Sequence, residues 1–253
     1  MPSFDLEGKI ALVTGASRGI GAAIALAFAE AGADVAISSR KQDALEPVAE
    51  RIRERGRRCL ACAAHNGRSE DLQALATRVV DELGPIDVLV NNAGTNPVFG
   101  PINLVQEAAW DKIFAVNLKG TFLLSKAVAD GMMARGTGSI INVASVAGLR
   151  PATGLGAYSV SKAGVIMLTK VCATEWATAG VRVNCLAPGL VDTQFSHVLI
   201  HTEAIYEQAK RDIPMDRYAT TDEMVGPALF LASDASSFVT GHILYADGGQ
   251  SAL

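Results

Sequence analysis

The chain has 253 residues, of which 49% are hydrophobic and 19% are charged. This balance excludes an intrinsically disordered chain, because disorder requires few apolar residues and a high net charge. The net charge of -4, from 22 Lys and Arg residues against 26 Asp and Glu residues, argues against nucleic-acid binding as the main role.

The ends of the chain and its cysteines predict a cytoplasmic location. No apolar run reaches the roughly 20 residues needed to cross a bilayer, and the N-terminus lacks the basic and apolar regions of a secretory signal. Cys59 and Cys62 form a C-x-x-C in a predicted strand, where a separation of three puts them on opposite faces, which argues against a metal or redox pair. Ser251-Ala252-Leu253 resembles the peroxisomal Ser-Lys-Leu address without its basic residue, and is interpreted as an ordinary tail.

Short apolar runs alternate with longer helical patterns along the chain. The predicted strands are Lys9–Thr14, Asp34–Ser39, Arg58–Ala64, Ile86–Asn91, Ser139–Ser145, Val181–Leu186 and His242–Tyr245. The predicted helices are Gly19–Ala31, Ala44–Arg55, Asp71–Leu83, Glu107–Arg135, Ala157–Thr178 and Asp222–Ala232. Strands separated by helices of this length need crossover connections. The pattern therefore predicts one doubly wound α/β domain of three layers, with a parallel sheet of about seven strands.

One segment, at about residues 190–220, interrupts this alternation. It is polar, and Gln194–Arg211 carries helical periodicity and two histidines. Segments inserted near the ligand edge of a sheet often serve as lids, so we expect a substrate lid here.

A glycine-rich turn follows the first predicted strand: Thr14-Gly15-Ala16-Ser17-Arg18-Gly19-Ile20-Gly21. Its glycines let backbone N–H groups approach a pyrophosphate at the N-terminus of the following helix. The position between a strand and a helix favours a dinucleotide site, although the Gly-x-x-x-Gly-x-Gly spacing differs from the usual fingerprint. A tight turn without a ligand is the alternative.

The end of the second predicted strand indicates which dinucleotide binds. NAD enzymes place a carboxylate there for the ribose 2′-hydroxyl, whereas this chain has Ser39-Arg40-Lys41. A hydroxyl and an Arg fork would bind a 2′-phosphate, and Arg18 could add a second charge. We therefore expect NADP(H), with NAD(H) the less favoured cofactor and Lys41 a solvated surface residue.

Tyr158 and Lys162 are four residues apart at the start of a predicted helix, so the phenol and the ammonium share one face. A free Tyr titrates near pH 10 and is a poor acid–base catalyst unless a nearby cation favours the phenolate. Ser145 lies at the polar end of a buried strand, where its hydroxyl could hold a substrate oxygen beside the phenol. Together these three residues predict carbonyl or alcohol chemistry.

On these residues the chain resembles the classical short-chain dehydrogenases/reductases over essentially its whole length. The matching segments are the glycine-rich turn, Asn91-Asn92-Ala93-Gly94, Asn117, Ser145, Tyr158 with Lys162, and Pro188-Gly189 followed by Thr193. Within the family, Ser39–Gln42, Asn96–Gly100 and Asn184–Leu190 look like the NADPH-dependent peroxisomal-type carbonyl reductases. The resemblance implies a Rossmann-type fold, a homotetramer and a small-molecule carbonyl or alcohol substrate.

The resemblance also implies a role for each matching residue. Tyr158 would exchange a proton with the carbonyl oxygen, Lys162 would lower its pKa and bind the nicotinamide ribose, and Ser145 would orient the carbonyl. Asn117 would interrupt its helix and position a water that links Lys162 to solvent; a helix-kinking polar residue is the alternative. The implied cofactor-binding residues are Gly15, Ser17, Arg18, Gly19, Ile20, Gly21, Ser39, Arg40, Asn91, Ala93, Gly94, Tyr158, Lys162, Pro188, Gly189, Val191 and Thr193.

Several alternatives stay open at this point. The family usually has an Asp after the third strand, where this chain has His65-Asn66, so no adenine contact is assigned there. His197 and His201 are four apart, but no Glu stands between them, and a metal site is not expected. Rival functions are a 3-oxoacyl-thioester reductase, a sugar or polyol dehydrogenase, and a dinucleotide-binding scaffold without catalysis. The residues expected around the substrate are mainly apolar and favour an apolar or aromatic carbonyl: Asn96, Val98, Phe99, Ala147, Leu149, Leu155, Phe195 and Val198.

Overall fold

The computed structural model describes residues 3–252. Met1, Pro2 and Leu253, which belong to the N-terminus and tail discussed above, lie outside the described residues, as do the side chains of Val198, Ala204 and Ile205. The strands are β1 Ile10–Thr14, β2 Asp34–Ser39, β3 Cys59–Ala63, β4 Val88–Asn91, β5 Gly138–Val143, β6 Val181–Pro188 and β7 Ile243–Ala246.

The helices follow the strands in alternation over most of the chain. They are α1 Gly19–Glu30, α2 Glu46–Arg53, α3 Ser69–Glu82, α4 Glu107–Phe114, α5 Gly120–Arg135, α6 Gly156–Trp176, α7 His197–His201, α8 Glu203–Lys210 and α9 Val225–Ala232. Within the part of the chain that the structure describes, none of them is long and apolar enough to cross a membrane.

The strands form one parallel sheet in the order β3-β2-β1-β4-β5-β6-β7. Consecutive residues of β1 pack on opposite faces, since Val13 joins the core on the side of α1, α2 and α9, and Leu12 joins the core on the side of α3, α5 and α6. Cys59 and Cys62 also face these two different cores, as their spacing predicts. The doubly wound three-layer fold is confirmed.

Several element boundaries differ from the predictions. β4 begins at Val88 rather than Ile86; just before it, the backbone N of Asp87 donates to Ile10 O at 2.9 Å and the Asp87 carboxylate accepts from the backbone N of Ile10 at 3.0 Å. The predicted helix Glu107–Arg135 is divided by a π-helical turn at Ala115–Lys119. The segment Gln194–Arg211, for which the sequence predicts helical periodicity, contains two short helices, α7 and α8.

Candidate active site

The predicted site residues gather at the carboxyl edge of the sheet, where parallel α/β proteins bind ligands. The glycine-rich turn follows β1 and Ala93-Gly94 follows β4. Ser145 lies two residues beyond β5, and Pro188 ends β6. Because these strands are neighbours in the sheet, residues distant in sequence meet along one edge.

The turn between β1 and α1 has the close backbone approach that a pyrophosphate cradle needs. Gly15 adopts a φ of +66°, and a Cβ there would lie 2.9 Å from the Cα of Ala93. A Cβ on Gly21 would overlap the carbonyl oxygen of Gly15 and the side-chain amide of Asn92. Only glycine fits both places, so the residues present fit a dinucleotide at the N-terminus of α1.

Thr14 and Asn92 hold this cradle closed, a role that the sequence analysis missed. The Asn92 Nδ2 donates to the carbonyl oxygens of Thr14 at 2.9 Å and Gly15 at 3.2 Å. The backbone N–H groups of Asn92 and Ala93 both donate to Thr14 Oγ1 at 3.0 Å. The sequence analysis assigns Asn92 no role. Its place directly after a buried strand could have indicated a contact with the neighbouring glycine-rich turn.

The side chain of Asn91 points into the protein rather than along the edge. It is 3% exposed, and its Nδ2 donates to Ser125 Oγ and to Asn142 Oδ1, each at 2.9 Å. The structure therefore gives the Asn91 side chain a part in holding sheet and helix together. Ala93 and Gly94, by contrast, lie in the loop along the edge.

At the end of β2, Ser39 is half-buried and Arg40 is exposed. The Ser39 hydroxyl donates to the carbonyl oxygen of Lys41 at 3.1 Å. Arg18 is also exposed at the start of α1. Among residues 3–252, no ion pair engages either guanidinium, so both remain available to a phosphate.

His65 and Asn66 after β3 serve the local structure. The backbone N of His65 donates to the Asp71 carboxylate at 2.8 Å, and its Nδ1 accepts from the backbone N of Gly67 at 3.1 Å. The Asn66 Nδ2 donates to the carbonyl oxygen of Val116 at 2.7 Å, in the π-helical turn.

The segment after β6 returns toward the glycine-rich turn. The backbone N of Gly189 donates to Ala246 O at 3.1 Å, and Val191 is buried and bridged to Ala219. The Cγ2 of Thr193 lies 3.4 Å from the position that a Cβ on Gly19 would occupy. The structure thus brings Thr193 beside the turn.

Ser196 organises this segment, which the sequence analysis did not predict. Its hydroxyl lies 3.1 Å from Thr193 Oγ1 and also bonds the carbonyl oxygen of Val191. Ser196 itself, not Thr193, is the residue that precedes α7. Thr193 is therefore not the N-cap of that helix.

Ser145, Tyr158 and Lys162 come together at this edge, where Tyr158 and Lys162 are buried and Ser145 is half-buried. Tyr158 and Lys162 lie on the first turns of α6, and the Lys162 Nζ is 5.6 Å from the centroid of the Tyr158 ring. The Nζ donates to the carbonyl oxygen of Val143 at 2.8 Å, which fixes the ammonium at the end of β5. Ser145 follows that strand, and its Oγ accepts from the backbone N of Ala147 at 3.1 Å.

Burial changes the pKa of both titratable groups. It raises the pKa of the Tyr158 phenol to about 12, an effect that the neighbouring Ser145 hydroxyl partly opposes. It lowers the pKa of the Lys162 ammonium to about 8. The resemblance implies that Lys162 lowers the pKa of Tyr158, but burial is the largest effect and acts upward. At neutral pH the phenol is protonated and the ammonium is mostly charged.

Asn117 lies in the π-helical turn, so it does interrupt its helix as predicted. It is 1% exposed, and its side chain bonds the backbone of Thr95 and the hydroxyl of Ser161. A Cβ on Gly94 would lie 3.5 Å from Lys162 Nζ and 3.7 Å from Asn117 Oδ1. The structure therefore places Asn117 and Lys162 on either side of Gly94.

The predicted lid contacts the site through an aromatic side chain. The ring centroids of Phe195 and Tyr158 are 5.5 Å apart. The ring centroids of His197 and His201 on α7 are 4.3 Å apart, with the ring planes tilted by 36°. No cluster of three or more possible metal ligands occurs among the residues described.

Comparison with known proteins gives the family. Residues 15–251 match the sequence profile of the family described as enoyl-(acyl carrier protein) reductase. The chain is 42% identical over 245 residues to the Bos taurus dehydrogenase/reductase SDR family member 4, covering 97% of this chain and 88% of that protein. The chain belongs to the classical short-chain dehydrogenase/reductase family. As a family member it is an oxidoreductase acting on alcohol or ketone-type substrates, which confirms the predicted reaction class.

Two further relatives differ in their named substrates. The (2S)-[(R)-hydroxy(phenyl)methyl]succinyl-CoA dehydrogenase subunit BbsD of Thauera aromatica is 38% identical over 246 residues, covering 97% of this chain and 98% of that one. The crystal structure of a gluconate 5-dehydrogenase from Burkholderia cenocepacia J2315, in complex with NADP and tartrate, has a TM-score of 0.95 and 36% identity, covering 99% and 98% of the two chains.

Proposed function

We propose that this chain is an NADP(H)-dependent oxidoreductase that interconverts a ketone or aldehyde with the alcohol, using Tyr158 as the proton donor and acceptor. The observation that carries the proposal is the meeting of Tyr158, Lys162 and Ser145 at the same sheet edge as the glycine cradle. A scaffold without catalysis has no need of a phenol and an ammonium buried side by side.

In reduction, the phenol of Tyr158, which its pKa of about 12 keeps protonated at neutral pH, donates its proton to the carbonyl oxygen, and this transfer needs a nearby positive charge because so high a pKa makes the phenol a weak acid. The Ser145 hydroxyl holds the carbonyl oxygen beside the phenol. NADPH, when bound, supplies the hydride. Lys162, held by Val143 O, provides the positive charge that stabilises the phenolate left behind. Phe195 covers the Tyr158 ring and limits the access of water.

The cofactor would be held by the residues around the cradle. Gly15, Ser17, Arg18, Gly19, Ile20 and Gly21 would hold the pyrophosphate, while Ala93 and Gly94 would border the adenosine side. Pro188, Gly189, Val191 and Thr193 would border the nicotinamide. Ser39 and Arg40 would bind the 2′-phosphate, since no carboxylate ends β2. The bound NADP of the Burkholderia cenocepacia relative supports this choice.

The mouth of the site favours an apolar or aromatic carbonyl. Phe99 is 66% exposed, Leu149 is 51% exposed and Phe195 is 55% exposed, although large apolar side chains are usually buried. The Phe99 ring packs against Gly154, just before α6. Exposed apolar side chains clustered at a pocket mark a ligand surface. A sugar-acid substrate like that of the gluconate relative is the second candidate, and a 3-oxoacyl thioester is the third.

The proposed function is tested by removing the hydroxyl oxygen of Tyr158. Tyr158→Phe should reduce kcat/KM for carbonyl reduction by at least about 10²-fold, because general acid catalysis of that size is lost with the hydroxyl. NADPH binding, followed by its fluorescence, should be largely retained. Tyr245→Phe, on β7, is the matched control and should keep wild-type activity.

The assay uses a panel of apolar ketones, 3-oxoacyl thioesters and polyols with both dinucleotides. Near-normal turnover by Tyr158→Phe would reject Tyr158 as the proton donor. Tight NADPH binding without turnover of any compound would favour the scaffold instead.

A further inference from the structure

Ser161 lies one residue before Lys162, is fully buried, and has no part in the mechanism described above. We infer that Ser161 is a positioning residue: its hydroxyl fixes the orientation of the Asn117 amide and so holds the loop after β4 beside Lys162. The inference rests on the proposed function.

The hydroxyl of Ser161 has one proton, and the structure accounts for it. Ser161 Oγ donates to the backbone carbonyl oxygen of Tyr158, one turn earlier in α6, at 2.7 Å. With its proton used, the oxygen can act toward Asn117 only as an acceptor. It accepts from the Asn117 Nδ2 at 3.0 Å.

This contact and the backbone of Thr95 together leave the Asn117 amide only one orientation. Its Nδ2 gives its other proton to the carbonyl oxygen of Thr95 at 3.0 Å, while its Oδ1 accepts from the backbone N of Thr95 at 2.8 Å. A flipped amide would set oxygen against the Ser161 oxygen and the Thr95 carbonyl, and nitrogen against the Thr95 N–H. Three hydrogen bonds would become three repulsive contacts.

The orientation matters because Thr95 belongs to the wall beside Lys162. Gly94 directly precedes it, and a Cβ on Gly94 would lie 3.5 Å from Lys162 Nζ. Ser161 thereby connects helix α6 to this loop through Asn117. Without the hydroxyl, a buried amide proton lacks a partner, and the loop and the ammonium lose their fixed separation.

The chain offers a matched control two residues away. Ser159 lies in the same helix and is 6% exposed, yet its Oγ has no hydrogen-bond partner among the residues that the structure describes. Ser159→Ala therefore removes the same atom at a similar depth without breaking a hydrogen bond. Any loss that comes merely from truncating a buried serine of α6 should occur in both variants.

The experiment is a double-mutant cycle with Ser161→Ala and Asn117→Ala, measured by carbonyl reduction at saturating NADPH. Ser161→Ala should lower kcat about tenfold, with the KM for the carbonyl within about twofold of wild type. In the Asn117→Ala background the same substitution should change kcat less than about twofold, because its target is gone. Ser159→Ala should retain wild-type kcat.

Thermal unfolding by circular dichroism checks that each variant is folded. If Ser161→Ala does not fold, Ser161→Cys, which keeps a weak acceptor of similar size, should show a smaller loss of kcat that again disappears in the Asn117→Ala background. Unchanged kcat in a folded Ser161 variant, equal losses in the Ser159 control, or losses that multiply in the double variant would each overturn the inference.

A second readout separates this inference from the proposed function. If the wild-type protein reduces no carbonyl, the proposed function fails. The contacts of Ser161 with Asn117 and the loop after β4 are then tested by NADPH affinity alone. Ser161→Ala should then weaken NADPH binding about threefold through the displaced wall, while Ser159→Ala should not. Equal affinities in the two variants would overturn the inference.

Discussion

Burial affects Tyr158 and Lys162 in opposite directions, and this difference controls the pH dependence. The phenol keeps its proton because its pKa rises to about 12, whereas the ammonium becomes easier to neutralise because its pKa falls to about 8. Each group loses solvation of its charged form, which for Tyr is the deprotonated state and for Lys the protonated one.

The pH profile of reduction should therefore have one alkaline limb, assigned to Lys162. Below pH 8 the ammonium is charged and kcat/KM for the carbonyl should be constant; above pH 8 it should fall with a one-proton slope. Tyr158 stays protonated throughout and adds no limb. Steady-state rates from pH 6 to 10 measure this. The guanidinium of Lys162→Arg stays charged from pH 6 to 10, so kcat/KM of this variant should not fall above pH 8. A wild-type midpoint near pH 10 would contradict the assignment.

The proposed preference for NADPH would be set at the other end of the site, by Ser39 and Arg40. A charge-assisted hydrogen bond contributes about 1.5–3 kcal/mol, so kcat/KM with NADPH should exceed that with NADH by about ten- to hundredfold. Ser39→Asp combined with Arg40→Ala should reverse the order, because the carboxylate repels a 2′-phosphate and can bind a 2′-hydroxyl.

Activity of that double variant with saturating NADH should survive, because the chemistry lies at the nicotinamide end. Lys41→Ala, at the neighbouring exposed position, should leave the preference unchanged. A wild-type protein that prefers NADH would show that Arg40 does not bind the phosphate.

At the scale of elements, a buried polar chain joins two strands to two helices. Asn91 of β4 donates to Asn142 of β5 at 2.9 Å, and Asn142 Nδ2 donates to Thr169 Oγ1 of α6 at 3.0 Å. Thr169 donates in turn to the carbonyl oxygen of Val165, four residues earlier. Asn91 also donates to Ser125 of α5. These hydrogen bonds fix the helices that carry the site against the sheet.

Thr169→Val tests this chain with almost no change of shape. It leaves a buried amide proton of Asn142 unpaired and should lower the free energy of unfolding by about 1–3 kcal/mol. Thr174 donates the same kind of hydrogen bond to the carbonyl oxygen four residues earlier, but it is exposed. Thr174→Val should therefore change the free energy of unfolding by less than about 0.5 kcal/mol. Urea unfolding at matched protein concentration compares the two. Equal effects would show that the connection to Asn142 contributes nothing.

The same chain shows where sequence reasoning reaches its limit. The glycine-rich turn, Ser145, Tyr158 and Lys162 could be found because their spacing along one strand end or one helix face fixes their relation. The amide of Asn91 could not be placed, since an Asn at a strand end can face the ligand or the core. Contacts such as Ser161 with Asn117 join residues 44 apart. Only the packing of α6 against the π-helical turn brings them together.

At the scale of the whole molecule, the outer face of α6 carries exposed apolar side chains, and Phe122 of α5 is exposed as well. Met167 is 58% exposed, and Val160, Val171 of α6 and Phe122 of α5 are also exposed. Val165, by contrast, faces the sheet. A helix that is apolar on a second side needs a second partner. The resemblance to short-chain dehydrogenases/reductases implies that this partner is another copy of the chain, in a homotetramer.

Light scattering at micromolar concentration should accordingly give about four times the chain mass of 26.4 kDa. Met167→Glu places a charge in the contact between copies and should shift the mass toward dimer or monomer, because a buried charge without a partner is strongly unfavourable. Val80→Glu, at a similarly exposed apolar residue of α3, should leave the mass unchanged. A monomeric mass of the wild-type protein would show that the exposed apolar side chains of α6 do not form an interface between copies. A Met167→Glu protein of full tetramer mass would place the interface on another face.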